Sequence, residues 1–249
     1  PFSAASDTAL VDVDTQLSSC PNDLLDDAEV QAQWAIQGTS KQGSTSWTGA
    51  SGTVSLDVPA EIGAYSVTFD YEVNGEALPT VTRTLYVTKS APTIGRPLAY
   101  WYEQATDWAN GETSETQILN KVLQGVYSYG NSHWEYGYHF GAATKCDWQQ
   151  LMADPITCNY SDCYVFSDVF ENMSGLLGVS GLNPVRKVGS GARGSFITNA
   201  TPSLDPAFPG SAKPVGGSYD RYLFSSHSLR LRSATYYDAT FNGRYSSDS

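Results

Sequence analysis

Residues 161–178 read SDCYVFSDVFENMSGLLG, with apolar side chains at Phe166, Val169, Phe170, Met173, Leu176 and Leu177. That spacing is one stripe of an amphipathic α-helix. Ser161 is the expected N-cap and Gly178 the expected stop just past the C-terminus. Cys163 then lies in the first turn. Unpaired backbone N–H groups and the helix dipole both favour a thiolate there, so the thiol is expected to ionise more readily than usual. The same N–H groups are potential oxyanion donors. A small buried thiol is the competing reading, and Cys163 needs partners elsewhere in the chain to carry chemistry.

The first partner stands in residues 223–232, LFSSHSLRLR. As a strand, Leu223, Ser225, His227, Leu229 and Leu231 share one face, and Phe224, Ser226, Ser228, Arg230 and Arg232 share the other. The leucines mark the first face as the inner one, so His227 is expected to point into the core. A buried imidazole needs a polar neighbour, whether its role is structural or catalytic. Asp238 follows eleven residues later in TYYDATFNG. If the chain turns at residues 232–234, Asp238 comes beside His227 on the next antiparallel strand. A carboxylate there would hold one tautomer and stabilise the imidazolium.

Upstream, the pattern is β. Residues 30–36 (VQAQWAI), 53–58 (TVSLDV), 65–73 (YSVTFDYEV) and 81–87 (VTRTLYV) alternate or run apolar. Asn74-Gly75 is a strong hairpin signal. Short strands at turn-punctuated spacing predict a small β-sandwich over residues 1–92. Residues 1–28 are acidic and polar, and fit a leading strand plus loop. Residues 88–97, TKSAPTIGRP, are the expected linker, and a second domain is expected over residues 98–249. Within it, residues 114–127 place Ile118, Val122, Leu123 and Val126 on one helical face. Residues 128–148 read as an aromatic-rich loop. Residues 189–220, rich in Gly, Ser and Pro, read as a long surface loop.

Composition narrows the function classes. The 249 residues hold 14 Lys+Arg against 26 Asp+Glu, a formal charge of −12. That balance argues against phosphate-backbone binding, so no nucleic-acid partner is expected. No apolar run approaches the roughly 18 residues of a membrane span. Only 16% of residues are charged, while 16 tyrosines and 22 glycines are present. This composition leans toward a secreted or cell-surface protein. The first residue is Pro1, so a processed form is expected, with further domains possible in a longer precursor. The four cysteines, Cys20, Cys146, Cys158 and Cys163, are too few for a disulfide scaffold. A Cys146–Cys158 bridge would brace the segment before the cysteine helix and leave Cys163 free.

A cysteine at a helix start, then a histidine strand, then an aspartate on the next strand resembles the transglutaminase-like superfamily of papain-type cysteine enzymes, in its bacterial form. The likeness runs from about Ser114 to Thr240. It covers SETQILNKVLQGVYSYG, DCYVFSDVFENMSGLLGV, the strand PVRKVG, HSLRL and the DAT segment. Ser161-Asp162-Cys163 stands where members commonly have Gly-x-Cys, and Asp238-Ala239-Thr240 where they have Asp-Pro-Thr. The resemblance implies an α+β domain with an antiparallel sheet and a Cys-bearing core helix; ahead of it, TVSLDVPAEIGAYSVTF (residues 53–69) resembles the strand–turn–strand of bacterial immunoglobulin-like modules. The transglutaminase-like resemblance implies Cys163 as nucleophile, His227 as general base and acid, and Asp238 as the orienting carboxylate. It also implies an upstream oxyanion or substrate-lining group, for which Trp134, Trp148 and Tyr160 are candidates. The implied reaction is acyl transfer from a protein or peptide amide through a thioester, with no cofactor.

Other readings stand beside it. His133 and His139 with Cys146, Cys158 and Cys163 are zinc-ligand types, but their spacing matches no strong zinc pattern, and no metal is expected. No calcium-loop pattern is present either. A surface adhesin or assembly module with a decayed transglutaminase-like domain is a non-enzymatic alternative. A secreted deamidase toxin or effector shares the chemistry and differs in substrate.

Overall fold

The structure, a computed structural model, describes residues 2–3, 8–14, 27–94, 99–133, 135–136, 148–153, 160–161, 163–188, 196–198, 212–215, 218–224 and 226–246. It is a mixed α+β fold whose sheets are mainly antiparallel. The chain divides into two compact units, Pro1–Glu115 with Leu176–Gly178, and Thr116–Gly175 with Val179–Ser249. Among the described residues, no helix is long and apolar enough to cross a membrane.

The first unit contains β1 (Phe2–Ser3), β2 (Thr8–Asp14), β3 (Glu29–Ile36), β4 (Gln42–Thr48), β5 (Ser51–Asp57), β6 (Gly63–Val73), β7 (Glu76–Ala77), β8 (Val81–Thr88) and α1 (Ala99–Trp108). One sheet runs β1-β8-β6-β3-β4, with β7 folded back on β6, and β2 pairs with β5. Strict alternation in β3 turns Val30, Ala32, Trp34 and Ile36 inward. They share a core with Val54 and Leu56 of β5, Val67 and Phe69 of β6, and Leu85 and Val87 of β8. The Val, Leu, Ile and Phe side chains among them each contribute roughly 1.5–3 kcal/mol on burial. Asn74 and Gly75 sit at φ +51° and +82° between Val73 and Glu76, the two-residue turn that their chemistry dictates. The sequence reading assigned no strand to residues 42–48, because QGSTSWT has little apolar content. Pairing to β3 supplies the order there, with Trp34 facing Gly43.

This unit continues past the expected linker at residues 88–97, as far as Glu115. Tyr86 points away from the core that Leu85 and Val87 enter, and stacks on Tyr102 of α1 at 5.8 Å. Trp101, Tyr102, Ala105 and Thr106 are buried. Beyond the helix, Gly111 N–H donates to Ile62 O at 2.9 Å, and Ile62 N–H to Glu112 O at 3.0 Å. Those bonds hold the segment against the start of β6.

The second unit contains α2 (Glu115–His133), β9 (Glu135–Tyr136), α3 (Trp148–Ala153), β10 (Tyr160–Ser161), α4 (Cys163–Leu176), β11 (Asn183–Val188), β12 (Phe196–Thr198), β13 (Ala212–Val215), β14 (Ser218–Phe224), β15 (Ser226–Arg232), β16 (Thr235–Asp238) and β17 (Gly243–Ser246). Its main sheet is β11-β15-β16-β17, wholly antiparallel. Helix α2 buries Ile118, Leu119, Val122, Leu123 and Val126. It runs six residues past the expected end at Tyr127, through Gly125 and Gly130. Asn120 on α2 accepts from Arg244 of β17 at 2.8 Å. On α4, Val165, Phe166, Val169, Phe170 and Met173 are buried, and Phe170 stacks on Tyr237 of β16 at 5.5 Å.

The stretch 189–220, expected as one long loop, is broken by strands. β12 and β13 flank β14 in a three-stranded antiparallel sheet. Short strands rich in Gly, Ser and Pro surroundings carry weak local signals, and only the shared partner β14 brings them out.

Candidate active site

Helix α4 begins at Cys163, which is partly exposed. Ser161, the expected cap, stands two residues before that start, and residue 162 lies outside the described residues. Ser161 lies instead in β10, opposite Tyr136 of β9 in a short parallel pair. The buried stripe of α4 holds the helix down, so its first turn presents Cys163 at the end of a rigid rod.

His227 lies near the start of β15 and is fully buried. Asp238 ends β16 and is also fully buried. The two strands are joined by Ser233 and Ala234, both at positive φ (+46° and +64°), between the paired residues Arg232 and Thr235. This is the tight turn that the His-to-Asp interval requires. Arg230 stands opposite Tyr237. One step on, Asp238 lies diagonal to His227, within side-chain reach. Asp238 Oδ2 is 2.8 Å from His227 Nε2. An ionised carboxylate only accepts, so Nε2–H is the donor. The other oxygen, Oδ1, accepts the Thr240 N–H at 3.1 Å. This two-residue Asx turn sets the carboxylate orientation from its own backbone. The Phe241 ring lies 5.6 Å from the imidazole and covers it.

Nε2 is committed to Asp238, and the Cys163 thiol interacts with the imidazole as well. Burial by itself pushes the imidazolium toward losing its proton. The Asp238 charge and hydrogen bond, together with Cys163, outweigh burial and raise His227 from 6.5 to about 10. The site is thus built to keep a proton on the imidazole beside the sulfur. A cysteine at a helix start, an imidazole and a buried carboxylate, each from a separate element, can generate a thiolate and then return a proton to a leaving group.

The sequence offers three further site candidates, Trp134, Trp148 and Tyr160. Trp148 opens α3 and is partly buried. Tyr160 is a backbone partner of Glu135 in the β9–β10 pair. Trp134 lies outside the described residues, as do Cys20, Cys146, Cys158 and His139, so the Cys146–Cys158 bridge is not described. Among the described residues, no group of three or more His, Cys, Asp or Glu side chains could hold a metal ion.

One expectation about β15 is corrected. The leucines mark the His227 face as the inner one, which leaves Ser228 and Arg230 on the opposite face. Both residues are buried, and Arg230 reaches Asp168 and Glu171 of α4. The cross-strand neighbour Tyr237 stacks on Phe170, so α4 covers this face. Alternation reads polar residues as solvent-facing and cannot register a buried ion pair. The strand written as residues 223–232 is also two strands, β14 and β15, in different sheets. Sequence reading missed the roles of Thr240 and Phe241 beside the histidine. The Asp-x-Thr spacing of an Asx turn was the available signal for Thr240.

No protein-family model matches this chain, and no curated protein matches it.

Proposed function

We propose that this protein is a cysteine-dependent acyl-transfer enzyme of transglutaminase-like design, acting on a carboxamide of a protein or peptide, with an immunoglobulin-like β-sandwich module ahead of the catalytic unit. The observation that carries the reading is the convergence of Cys163, His227 and Asp238 from α4, β15 and β16.

In the mechanism, the Cys163 thiol gives its proton to His227 Nδ1, and the sulfur attacks the amide carbonyl carbon. Backbone N–H groups at the start of α4 face the developing oxyanion; such donors are typically worth about 3 kcal/mol each. His227 delivers the proton to the departing nitrogen, the C–N bond breaks, and ammonia or an amine leaves a thioester on Cys163. A second amine attacks the thioester to form a new amide, or water forms the carboxylic acid. Either way the thiol is regenerated and no electrons change hands. Asp238 holds the imidazole with Nε2–H toward itself and Nδ1 toward sulfur throughout.

The test needs no substrate. Iodoacetamide labelling of Cys163 is followed by peptide mass spectrometry from pH 4 to 9, in wild type and His227→Ala. The expected result is fast labelling well below the ordinary thiol range of about 8.5, lost in His227→Ala. An ordinary profile that the mutation leaves unchanged would refute the reading in favour of a binding or assembly role.

A further inference from the structure

The same strand and helix that carry His227 and Cys163 meet at a second point. Arg230, three residues after His227 on β15, is buried, with its side chain 4% exposed. Its Nη2 donates to Asp168 Oδ1 at 2.5 Å and to Glu171 Oε2 at 2.7 Å. Asp168 and Glu171 are five and eight residues after Cys163 on α4. At about 1.5 Å per helical residue, they stand roughly 7.5 and 12 Å along the helix from the thiol. Three strand residues span about 10 Å. Helix and strand are thus joined at two places, Cys163 to His227 and Asp168 with Glu171 to Arg230.

Such a cluster is an expensive way to gain stability, since removing a guanidinium from water offsets most of the ion-pair attraction. Apolar residues of similar size would serve the core as well. What the cluster adds is direction. One guanidinium nitrogen, Nη2, bridging two carboxylates one turn apart favours one axial position and one rotation of the helix. Sliding α4 by a residue, or rotating it, would break both contacts and carry the sulfur away from the imidazole.

We propose that Arg230 is a positioning residue that sets Cys163 against His227 by locking α4 to β15 in one register. The proposal rests on the acyl-transfer reading of the Cys163–His227–Asp238 site. Arg230 touches no reacting atom and acts through the helix.

The experiment measures the pH dependence of Cys163 alkylation together with thermal unfolding in the full chain. The variants are Arg230→Met, Arg230→Lys and the neutral triple change Asp168→Asn, Glu171→Gln and Arg230→Met, with His227→Ala as reference. The triple change leaves no unpaired buried charge and keeps the test available if Arg230→Met fails to fold. The expected result is a folded variant whose Cys163 labels roughly tenfold to hundredfold more slowly at pH 6, toward the behaviour of a thiol ionising at about 8.5. Arg230→Lys should recover part of the rate. If His227→Ala changes the wild-type profile but the folded Arg230 variants do not, the proposal is overturned and the catalytic reading survives. A wild-type profile already ordinary and indifferent to His227→Ala removes both. Loss of the fold in all three Arg230 variants makes the residue a requirement of folding rather than of positioning, and also overturns the proposal.

Discussion

His227 and Asp238 lie eleven residues apart in the chain, yet Nε2 and Oδ2 meet at 2.8 Å with both side chains wholly buried. Two buried ionisable groups are costly to hold unless each satisfies the other. Asp238 is further tied by the Thr240 N–H and His227 by Cys163, so each removal has a distinct consequence.

Once an amide substrate is in hand, Cys163→Ala and His227→Ala should each abolish thioester formation, while Asp238→Asn should retain more activity. Loss of the orienting carboxylate typically lowers kcat by about 10⁴-fold, and residual turnover should remain measurable. Hydroxamate formed when hydroxylamine cleaves the thioester and frees the Cys163 thiol, quantified by mass spectrometry, checks the order. Full retention of activity in both Asp238→Asn and His227→Ala would remove the triad.

The pH dependence follows from the raised His227. Its folded value, about 10, lies above the ordinary 6.5. The proton is therefore bound more tightly in the folded state, and the stability it confers is fully present below about 6.5 and is lost as pH rises through about 10. Asp238→Asn removes the main group that raises it. The difference in Tm between wild type and Asp238→Asn should be largest near pH 6 and shrink steadily toward pH 10. A gap that widened with pH would contradict the assignment.

The turn at Ser233 and Ala234 offers a stabilising change. Both residues hold left-handed φ, which costs an ordinary L-residue roughly 1–2 kcal/mol. Ala234→Gly, preferably with Ser233→Asn, matches the chemistry that such two-residue turns favour. The expected gain is about 1 kcal/mol in urea unfolding with an unchanged m-value, and the Cys163 labelling profile should not move.

Two glycines should respond differently to alanine. Gly75 sits at φ +82° in open space, whereas Gly178 sits at φ +78° where a Cβ would collide with the backbone of Ser90. Gly75→Ala should cost about 1 kcal/mol, the conformational penalty alone. Gly178→Ala adds a clash with backbone that cannot swing aside, and should cost at least ~2 kcal/mol. Parallel denaturant titrations test the ranking.

A buried hydroxyl gives a further check. Among the described residues, Thr240 Oγ1 has no hydrogen-bond partner, and its side chain is buried beside Asp238. Thr240→Val keeps the shape and the backbone N–H that Asp238 uses. It should be neutral or raise stability by about 1 kcal/mol. A large loss would mean that the hydroxyl serves the fold in a way its surroundings do not reveal.

Elements whose cause is local were legible from the chain alone. The stripe from Phe166 to Leu177 defines α4 because helical periodicity is written in consecutive residues, and Asn74-Gly75 defines its hairpin because few residues adopt both positive φ values. Chain order also placed Cys163, His227 and Asp238 as candidates. Their meeting was not legible, since it depends on Ser233-Ala234 making a tight turn that neither residue advertises. Residues 42–48 and the two short strands flanking β14 carried weak local signals and take their order from pairing with β3 and β14. The extension of the first unit to Glu115 rests on Tyr86 and Tyr102 finding each other across a gap in sequence. Arg230 shows the limit most clearly. Alternation assigns a charged residue to solvent, and only the packing of α4 over β15 brings it to Asp168 and Glu171. By itself, then, the sequence determined which segments could be helix or strand and which side chains could do chemistry, because these follow from short-range geometry. Register, burial and the protonation of His227 were decided by the tertiary structure, because they depend on the low-dielectric surroundings that distant segments create together.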